Sequence, residues 1–183
     1  HNKINYKMNQ IEHYIQLLKD YNTTTNIFSK QAYDKLDFHI NDCITLSKLI
    51  TNKKLTIFDF GSGSGLPSIP IAITNPKNTV YAIESKSRKT TFLTKIKETL
   101  NLTNLTVITQ NLFEWKAPCK PHIITAKAFA PIDKINRLYN KFKGRNTFVL
   151  IPISKNQAEI YVKDNTISII EINSLFYAKL LRN

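Results

Sequence analysis

The chain is poor in cysteine and contains no long hydrophobic stretch. Its two cysteines, Cys43 and Cys119, are too few for a disulfide framework, and they lack the spacing of metal ligands. No apolar run approaches the roughly 18 residues that a membrane-spanning helix needs, and no cleavable signal pattern opens the chain. We therefore expect a cytoplasmic protein that has no metal site and does not bind membranes.

Acidic residues are also scarce. Lys and Arg total 26 against 13 Asp and Glu, which gives a formal net charge of +13. So large an excess is typical of proteins that contact a polyanion, such as nucleic acid or an anionic surface. The compositional bias of an AT-rich genome is the alternative, because the chain is rich in Lys, Asn, Ile and Thr. That bias accounts for Lys in place of Arg more readily than for the shortage of acids.

Helical and β-rich patterns follow one another in a definite order. Apolar residues recur at helical spacing in 2–22 and 29–50, and a further helical stretch covers 86–100. Farther along, short β-rich runs alternate with helical stretches, which predicts an α/β fold with a parallel sheet covered on both faces. We expect a helical cap, 1–50, that belongs to the same domain as the α/β unit, 51–183. The β-rich runs are 55–60, 79–84, 105–109, 122–127, 147–152 and 166–172.

Glycine is rare as well, with four in the chain, and three of them cluster in the stretch TIFDFGSGSGLPSIP, 56–70. β-prone residues lead into Gly61, Gly63 and Gly65 and an apolar stretch follows, so the pattern predicts a strand, a tight turn and a helix start. Such a turn at the carboxyl edge of a sheet lets a ligand lie against the main chain. Leu66 occupies the place of the third glycine of a dinucleotide fingerprint, and the Gly-Lys-Ser/Thr of a phosphate loop is absent.

A carboxylate follows at the end of the next β-rich run. Glu84 can accept hydrogen bonds from both hydroxyls of a ribose, which favours an adenosine-containing cofactor but leaves NAD and S-adenosylmethionine open. The D-x-G-x-G-x-G spacing that begins at Asp59 favours S-adenosylmethionine. The structural alternative is a plain glycine turn and a surface Glu that closes a strand.

Three segments, FDFGSGSGLPSIPIAITNP, IESKSRKTTFL and AKAFAPIDK, together resemble the RsmG/GidB family of bacterial methyltransferases. The segment NIFSKQAYDKLDFHINDCITL is similar to that family's Asn-Leu-Thr…His…Asp-Ser-Leu region and places His39, Asp42 and Cys43 on its motif. The resemblance covers roughly 10–160. It implies a class I S-adenosylmethionine-dependent methyltransferase fold, Rossmann-like with an N-terminal helical extension, and methylation of a guanine N7 in small-subunit (16S) ribosomal RNA.

The resemblance also implies a set of cofactor contacts. Residues of the glycine turn would touch the cofactor, the acidic residue would hold its ribose, and the segment after the third strand would flank the adenine largely through its backbone. The cation after the fourth strand would lie beside the reacting end. The expected cofactor-binding residues are Gly61, Gly63, Gly65, Leu66, Glu84, Leu112, Phe113 and Lys127.

Four positions depart from the family pattern. Asn111 and Lys127 stand where the family has Arg, Phe113 where it has Glu, and Ile153 where it has Lys. Lys for Arg keeps the charge but loses the planar bidentate fork. The departures leave open a catalytically decayed member that binds ribosomal RNA without turnover. An NAD-dependent Rossmann oxidoreductase is the other alternative.

Methylation of guanine N7 requires no prior deprotonation, because the neutral base carries an accessible lone pair there. The chain accordingly shows no obvious acid/base pair, and its work would be alignment of the reacting atoms and exclusion of water. We expect no single catalytic side chain. Lys127 and Phe129 are the candidates for positioning, with Phe129 stacked on the target base or, alternatively, packed in the core.

Basic residues beside the expected cofactor site are candidates for RNA contact. Lys86, Arg88 and Lys89 open a helix, where they would position phosphates without reading sequence, although a solvated helix face explains them too. His39 shares a helix face with Asp42, which suits either RNA contact or helix packing. The expected partner is 16S ribosomal RNA or the small ribosomal subunit, bound by a monomer.

Overall fold

Helices and strands alternate along most of the chain in the computed structural model, which describes residues 2–180, with side chains described for 4–29 and 32–180. The expected ranges 1–50 and 51–183 include residue 1 and residues 181–183, which lie outside the described residues. The helices are α1 (Asn2–Thr24), α2 (Lys30–Tyr33), α3 (Leu36–Ile50), α4 (Ser68–Thr74), α5 (Ser87–Thr99), α6 (Ile132–Phe142) and α7 (Lys155–Tyr161). The strands are β1 (Thr56–Phe60), β2 (Thr79–Glu84), β3 (Leu105–Thr109), β4 (Ile123–Thr125), β5 (Phe148–Ile153), β6 (Ile167–Ile172) and β7 (Leu175–Leu180).

The strands form one sheet in the order β3-β2-β1-β4-β5-β7-β6. The first five strands are parallel, as predicted, whereas β7 pairs antiparallel with both β5 and β6. The strand order reverses at β1, which lies between β2 and β4. Ligands of open α/β sheets bind beyond the carboxyl ends of the strands at such a reversal, so the loops after β1 and β4 are the expected place for a site.

Hydrophobic side chains pack on both faces of the sheet, because successive residues of a strand point to opposite sides. Ile57 of β1 belongs to the core that the N-terminal helices, α4 and α5 cover. Phe58 and Phe60 point the other way, into an aromatic core with Trp115 and with Phe142 of α6. The sheet is therefore covered on both faces, which confirms the expected layering.

The N-terminal helices pack against the first of these cores. Tyr14 of α1 is fully buried, and its hydroxyl donates a 2.9 Å hydrogen bond to the Ser64 carbonyl oxygen. The predicted helix over 29–50 is interrupted, since α2 ends before a turn at 34–35 and α3 begins at Leu36. The side chains of 32–35 are not buried, so that stretch lacks the core contacts that α3 has. Between residues 2 and 180, none of the helices combines the length and apolarity needed to cross a bilayer.

Candidate active site

The glycine turn follows β1 and folds back against the end of β2. The amide groups of Gly61 and Ser62 donate hydrogen bonds to the Ile83 carbonyl oxygen, at 2.9 and 3.1 Å. Gly61 and Gly63 have φ angles of +67° and +56°, a region that residues with a side chain rarely adopt. The turn therefore depends on glycine for its conformation and is held by the neighbouring strand.

The glycines of the turn face different surroundings. A Cβ atom on Gly61 would lie 2.1 Å from Cδ2 of Phe129, and one on Gly65 would lie 2.4 Å from Cγ1 of Ile69. A Cβ atom on Gly63 would have no neighbour closer than 3.7 Å. Gly61 thus lies against the Phe129 ring, and Gly65 packs on the helix behind the turn. A Cβ atom at Gly63 would meet only the Gly61 carbonyl oxygen and Lys89 Nζ, both at ordinary contact distance.

The Glu84 carboxylate is tied to the same turn. Its Oε2 accepts a 3.0 Å hydrogen bond from the Gly63 amide, and its Oε1 accepts one of 2.9 Å from the Lys86 amide. The residue is only 7% exposed, so it is not a surface Glu that merely closes a strand. The carboxylate joins the ends of β1 and β2 and still has lone pairs to accept further hydrogen bonds.

A cavity of about 320 Å³ opens beside this carboxylate, and we call it the Glu84 cavity. Leu112 is buried in its wall, and Phe113 is half exposed at its edge. Lys141 of α6 holds this segment, because its Nζ donates hydrogen bonds to the carbonyl oxygens of both residues. The cavity is lined by Gly61, Ile83, Glu84, Ser85, Lys86, Lys89, Gln110, Asn111, Leu112, Phe113, Ala128, Phe129 and Lys134.

Lys134 of α6 lies among aromatic rings at the Glu84 cavity. Its Nζ is 5.6 Å from the ring centroid of Phe113 and 5.2 Å from that of Phe129, both within cation–π distance. Sequence reasoning missed Lys134 and Lys141, because each is one lysine among many on a helix far along the chain from the turn. Lys134 ends the family segment AKAFAPIDK, which is the one sequence signal that pointed to it, whereas no spacing signal marks Lys141.

A second cavity, of about 240 Å³, lies between the glycine turn and the N-terminal helices, and we call it the turn cavity. Gly63 and Leu66 line it from the turn, His39 from α3 and Lys127 from the loop after β4. The structure thus brings together predicted residues from three separate segments. Gly65 is not among the residues that line either cavity.

An ion pair joins the loop after β4 to the N-terminal helices. The Lys127 ammonium group binds Oδ2 of Asp42, and the two side chains are only 15% and 7% exposed. The Asp42 carbonyl oxygen also accepts a 3.0 Å hydrogen bond from the Tyr177 hydroxyl. The next residue, Ala128, has a φ of +50° and lines both cavities. The ion pair fixes this loop where the two cavities meet.

His39 lies half buried beside this ion pair. Burial lowers the pKa of its imidazole, and the nearby Lys127 cation lowers it further. The ring is therefore neutral at physiological pH, and its buried Nδ1 has no hydrogen-bond partner. The described residues contain no group of three His, Cys, Asp or Glu that could hold a metal ion.

Asp59 is fully buried under the glycine turn. Burial raises the pKa of its carboxyl to about 6, against hydrogen bonding from Ser62 and Ser68 that lowers it. Neither carboxylate oxygen has a partner with good hydrogen-bond geometry, whereas the Ser62 hydroxyl donates to the Asp59 carbonyl oxygen at 3.0 Å. The contact from Asp59 to the turn is thus made by its backbone carbonyl oxygen, and its carboxyl group lies desolvated beneath the turn.

The predicted RNA-contacting residues of α5 divide into two groups. Lys89 lines both cavities. Lys86 lines the Glu84 cavity, and its backbone amide donates a hydrogen bond to the Glu84 carboxylate. Arg88 is exposed and lines neither cavity. Of the three, Arg88 is thus the residue placed outside the cavities.

Nearly the whole chain matches one family model, described as GidB: rRNA small subunit methyltransferase G, over residues 7–183. A ribosomal RNA small subunit methyltransferase G from Brachyspira hyodysenteriae is 35% identical over 146 residues, which cover 79% of this chain and 70% of the relative. Another from Helicobacter acinonychis is 28% identical and covers 91% of this chain and 94% of the relative. For other relatives the matched part is as little as 52% of their length.

The fold is shared with methyltransferases of known structure. Magnesium protoporphyrin IX methyltransferase from Synechocystis, solved with bound S-adenosylmethionine, matches with a TM-score of 0.59 at 14% identity, over 92% of this chain and 97% of that one. This likeness confirms the expected class I methyltransferase fold. With the family model matched from α1 to the end of the chain, the protein belongs to the rRNA small subunit methyltransferase G (GidB) family.

Proposed function

We propose that this chain transfers a methyl group from S-adenosylmethionine to N7 of a guanine in small-subunit (16S) ribosomal RNA. The observation that carries the proposal is the pair of adjoining cavities that run from Glu84 to Lys127 in a member of this family. The net charge of +13 supports a polyanionic substrate. We further propose that the protein acts in the cytoplasm as a monomer, on the RNA or on the small subunit.

The residues of the two cavities fit the parts of the cofactor. Each oxygen of the Glu84 carboxylate accepts one backbone hydrogen bond and can accept another from a ribose hydroxyl. Leu112 and Phe113 supply an apolar wall for the adenine ring. The chain that links ribose and amino acid would lie against the Gly63 backbone, where the nearest side-chain atom is the flexible Lys89 Nζ, 3.8 Å from the position of a Cβ atom.

The reaction requires the protein mainly to align the acceptor nitrogen, the methyl carbon and the sulfur. When bound, S-adenosylmethionine supplies an electrophilic methyl carbon: the N7 lone pair forms the new bond, and sulfur keeps the electron pair of the broken one. Lys127, held by Asp42, limits the far end of the turn cavity, and Phe129 covers Gly61. These contacts hold the reacting groups in line and exclude water, and no base is needed because N7 carries no proton.

Two alternatives make different predictions. The family match favours methyl transfer over nicotinamide chemistry, so we expect S-adenosylhomocysteine to bind and NAD to leave the protein unchanged. A decayed member would bind the RNA and the cofactor without turnover. The departures at Asn111, Lys127 and Ile153 motivate that alternative, and a rate measurement decides it.

The direct test is methyl transfer from labelled S-adenosylmethionine to 16S RNA and to small subunits that lack the modification, followed by mapping of the modified base. We expect label at one guanine, with the alkali lability typical of N7 methylation. The Gly63→Val variant serves as the cofactor-binding control. Binding of both ligands without any label transfer would support the decayed alternative instead.

A further inference from the structure

A third cavity, larger than the other two at about 510 Å³, lies on the far side of the Lys127–Asp42 pair. It is bounded by α3, the loop after β4, α6, the end of β5, α7 and the β6–β7 turn. Lys127, Ala128 and His39 line both this cavity and the turn cavity, and Phe129 lines both it and the Glu84 cavity. The third cavity therefore adjoins the turn cavity and the Glu84 cavity at the place where the reacting end of the cofactor is proposed to lie.

The walls of the third cavity suit a flat, uncharged ring. Its side chains include Ile153, the half-buried ring of Phe176, and Phe38, which is 53% exposed. An aromatic ring left this exposed can stack on an unpaired nucleobase, as in many proteins that bind single-stranded RNA. The volume is within the range of roughly 300–1,000 Å³ that is common for small-ligand sites.

The inner end of the third cavity carries hydrogen-bond donors. The Lys127 ammonium group has three N–H donors, and Asp42 engages it from one side. Guanine presents two acceptors, N7 and O6, on one edge, whereas adenine presents a donor, its N6 amino group, where guanine has O6. A donor fixed at this position can therefore hydrogen-bond to O6 of guanine, whereas it would face the N6 donor of adenine.

We propose that the third cavity takes the target guanine, turned out of its stack in the RNA, with Phe38 and Phe176 against the base and Lys127 donating to O6. N7, beside O6, then faces the turn cavity, where the methyl group would be. This inference rests on the proposed function and names the place and the base selectivity of its acceptor. Enzymes that act on a stacked base commonly extrude it into such a pocket.

The first experiment tests occupancy without RNA or turnover. Saturation-transfer NMR is recorded on the complex with S-adenosylhomocysteine, with GMP or AMP as the probe. We expect a GMP signal well above that of AMP, lost when Ile153→Trp fills the cavity and kept in Ile160→Trp, the matched control. Ile160 is 65% exposed on α7 and does not line the cavity.

Three results of that experiment overturn the inference. They are an equal GMP signal in Ile153→Trp and Ile160→Trp, no preference for GMP over AMP in the wild-type complex, and displacement of S-adenosylhomocysteine by GMP. The last would assign the cavity to part of the cofactor. Because Ile153→Trp can fail to fold, its thermal unfolding and its affinity for S-adenosylhomocysteine are measured first, and Phe38→Ala provides an independent variant at an exposed position.

The second experiment measures methyl transfer to 16S RNA. We expect Phe38→Ala to lower kcat/KM by about tenfold with unchanged affinity for S-adenosylhomocysteine, as the loss of one stacking ring predicts, and Ile160→Ala to match the wild type. Equal kcat/KM in the two variants overturns the inference while the proposed function stands. No transfer by the wild type, with selective GMP binding intact, would refute the proposed reaction and keep the purine site.

Discussion

The Lys127 ammonium group and the Asp42 carboxylate form an ion pair between the loop after β4 and helix α3. Both side chains are largely buried, and the pair separates the turn cavity from the larger third cavity. Lys127 thus lines both cavities and Asp42 lines the third, while their contact joins the N-terminal helices to the loop after β4.

Removing one partner of this pair should destabilise the fold. In Asp42→Asn, Lys127 would keep its charge in a largely desolvated place, and we expect a loss of about 1–3 kcal/mol in the free energy of unfolding. Urea titration measures it. The double variant Asp42→Asn/Lys127→Met should recover part of the loss. Strictly additive effects of the two substitutions would show that the charges do not interact.

A side chain at Gly63 should block the cofactor. Its φ of +56° disfavours a β-branched residue, and the ligand is proposed to lie against its backbone. Gly63→Val should lower affinity for S-adenosylhomocysteine by about 100-fold or more, as calorimetry can measure. Gly144→Ala, at the glycine outside the turn, is the control. Full affinity in Gly63→Val would mean that the ligand binds elsewhere.

Glu84→Gln should weaken cofactor binding without unfolding the protein. The amide keeps one oxygen acceptor, but its NH2 group replaces the other, so it loses one backbone hydrogen bond in the turn as well as the charge that strengthens hydrogen bonds to ribose hydroxyls. We expect roughly 10–100-fold lower affinity for S-adenosylhomocysteine. Exposed Glu98 on α5 gives the matched control, Glu98→Gln. Equal affinity for S-adenosylhomocysteine in the two variants would mean that the Glu84 carboxylate stabilises the turn and does not contact the cofactor.

Asp59 should make stability depend on pH. Its folded-state pKa of about 6 is above the ordinary 3.8, so the folded protein holds the proton more tightly, and stability falls as pH rises between those values. The total change from this group is on the order of 3 kcal/mol. Asp59→Asn should lack this slope, and exposed Asp133→Asn should keep it. Urea midpoints from pH 4 to 7 that run parallel in all three proteins would refute the assignment.

The two groups of α5 cations should behave differently. Arg88→Glu should weaken RNA binding and reduce the magnitude of its salt slope by about 1, without changing affinity for S-adenosylhomocysteine, because the residue lies outside the cavities. Lys89→Glu should also change cofactor affinity, since Lys89 lines both. If the salt dependence of RNA binding is unchanged in Arg88→Glu, Arg88 belongs to an ordinary solvated surface and does not contact the RNA.

Much of the fold could be predicted, because patterns among neighbouring residues indicate most of its strands and helices. The β-rich runs and the glycine turn are read from neighbouring residues, and the family indicated by three short segments is confirmed. Strand β7 was missed, although Asn173 and Ser174 form a two-residue hairpin turn with φ of 49° and 62°. Asn favours such turns, so a weak signal was present after the last predicted strand.

The site was predictable where its residues adjoin strand ends. Gly63 lies in the turn that follows β1, and Glu84 ends the neighbouring strand β2, so the sheet topology brings them close together. The contacts of Phe129 with Gly61 and of Lys134 with the aromatic rings depend on how helix α6 and the loop after β4 lie over the sheet. That packing is set by long-range contacts, which no local spacing in the sequence encodes.

The hydrogen bond from Tyr14 to the Ser64 carbonyl oxygen ties the first helix to the glycine turn, which is proposed to bind the cofactor. Shortening the amino terminus past this tyrosine would remove none of the residues that line the Glu84 cavity and the turn cavity, yet it would take Ile11 and Tyr14 out of the hydrophobic core to which Leu66 belongs. Affinity for the methyl donor would then drop through loss of rigidity, and a fragment limited to the sheet and its crossover helices would be a poor substitute for the entire protein.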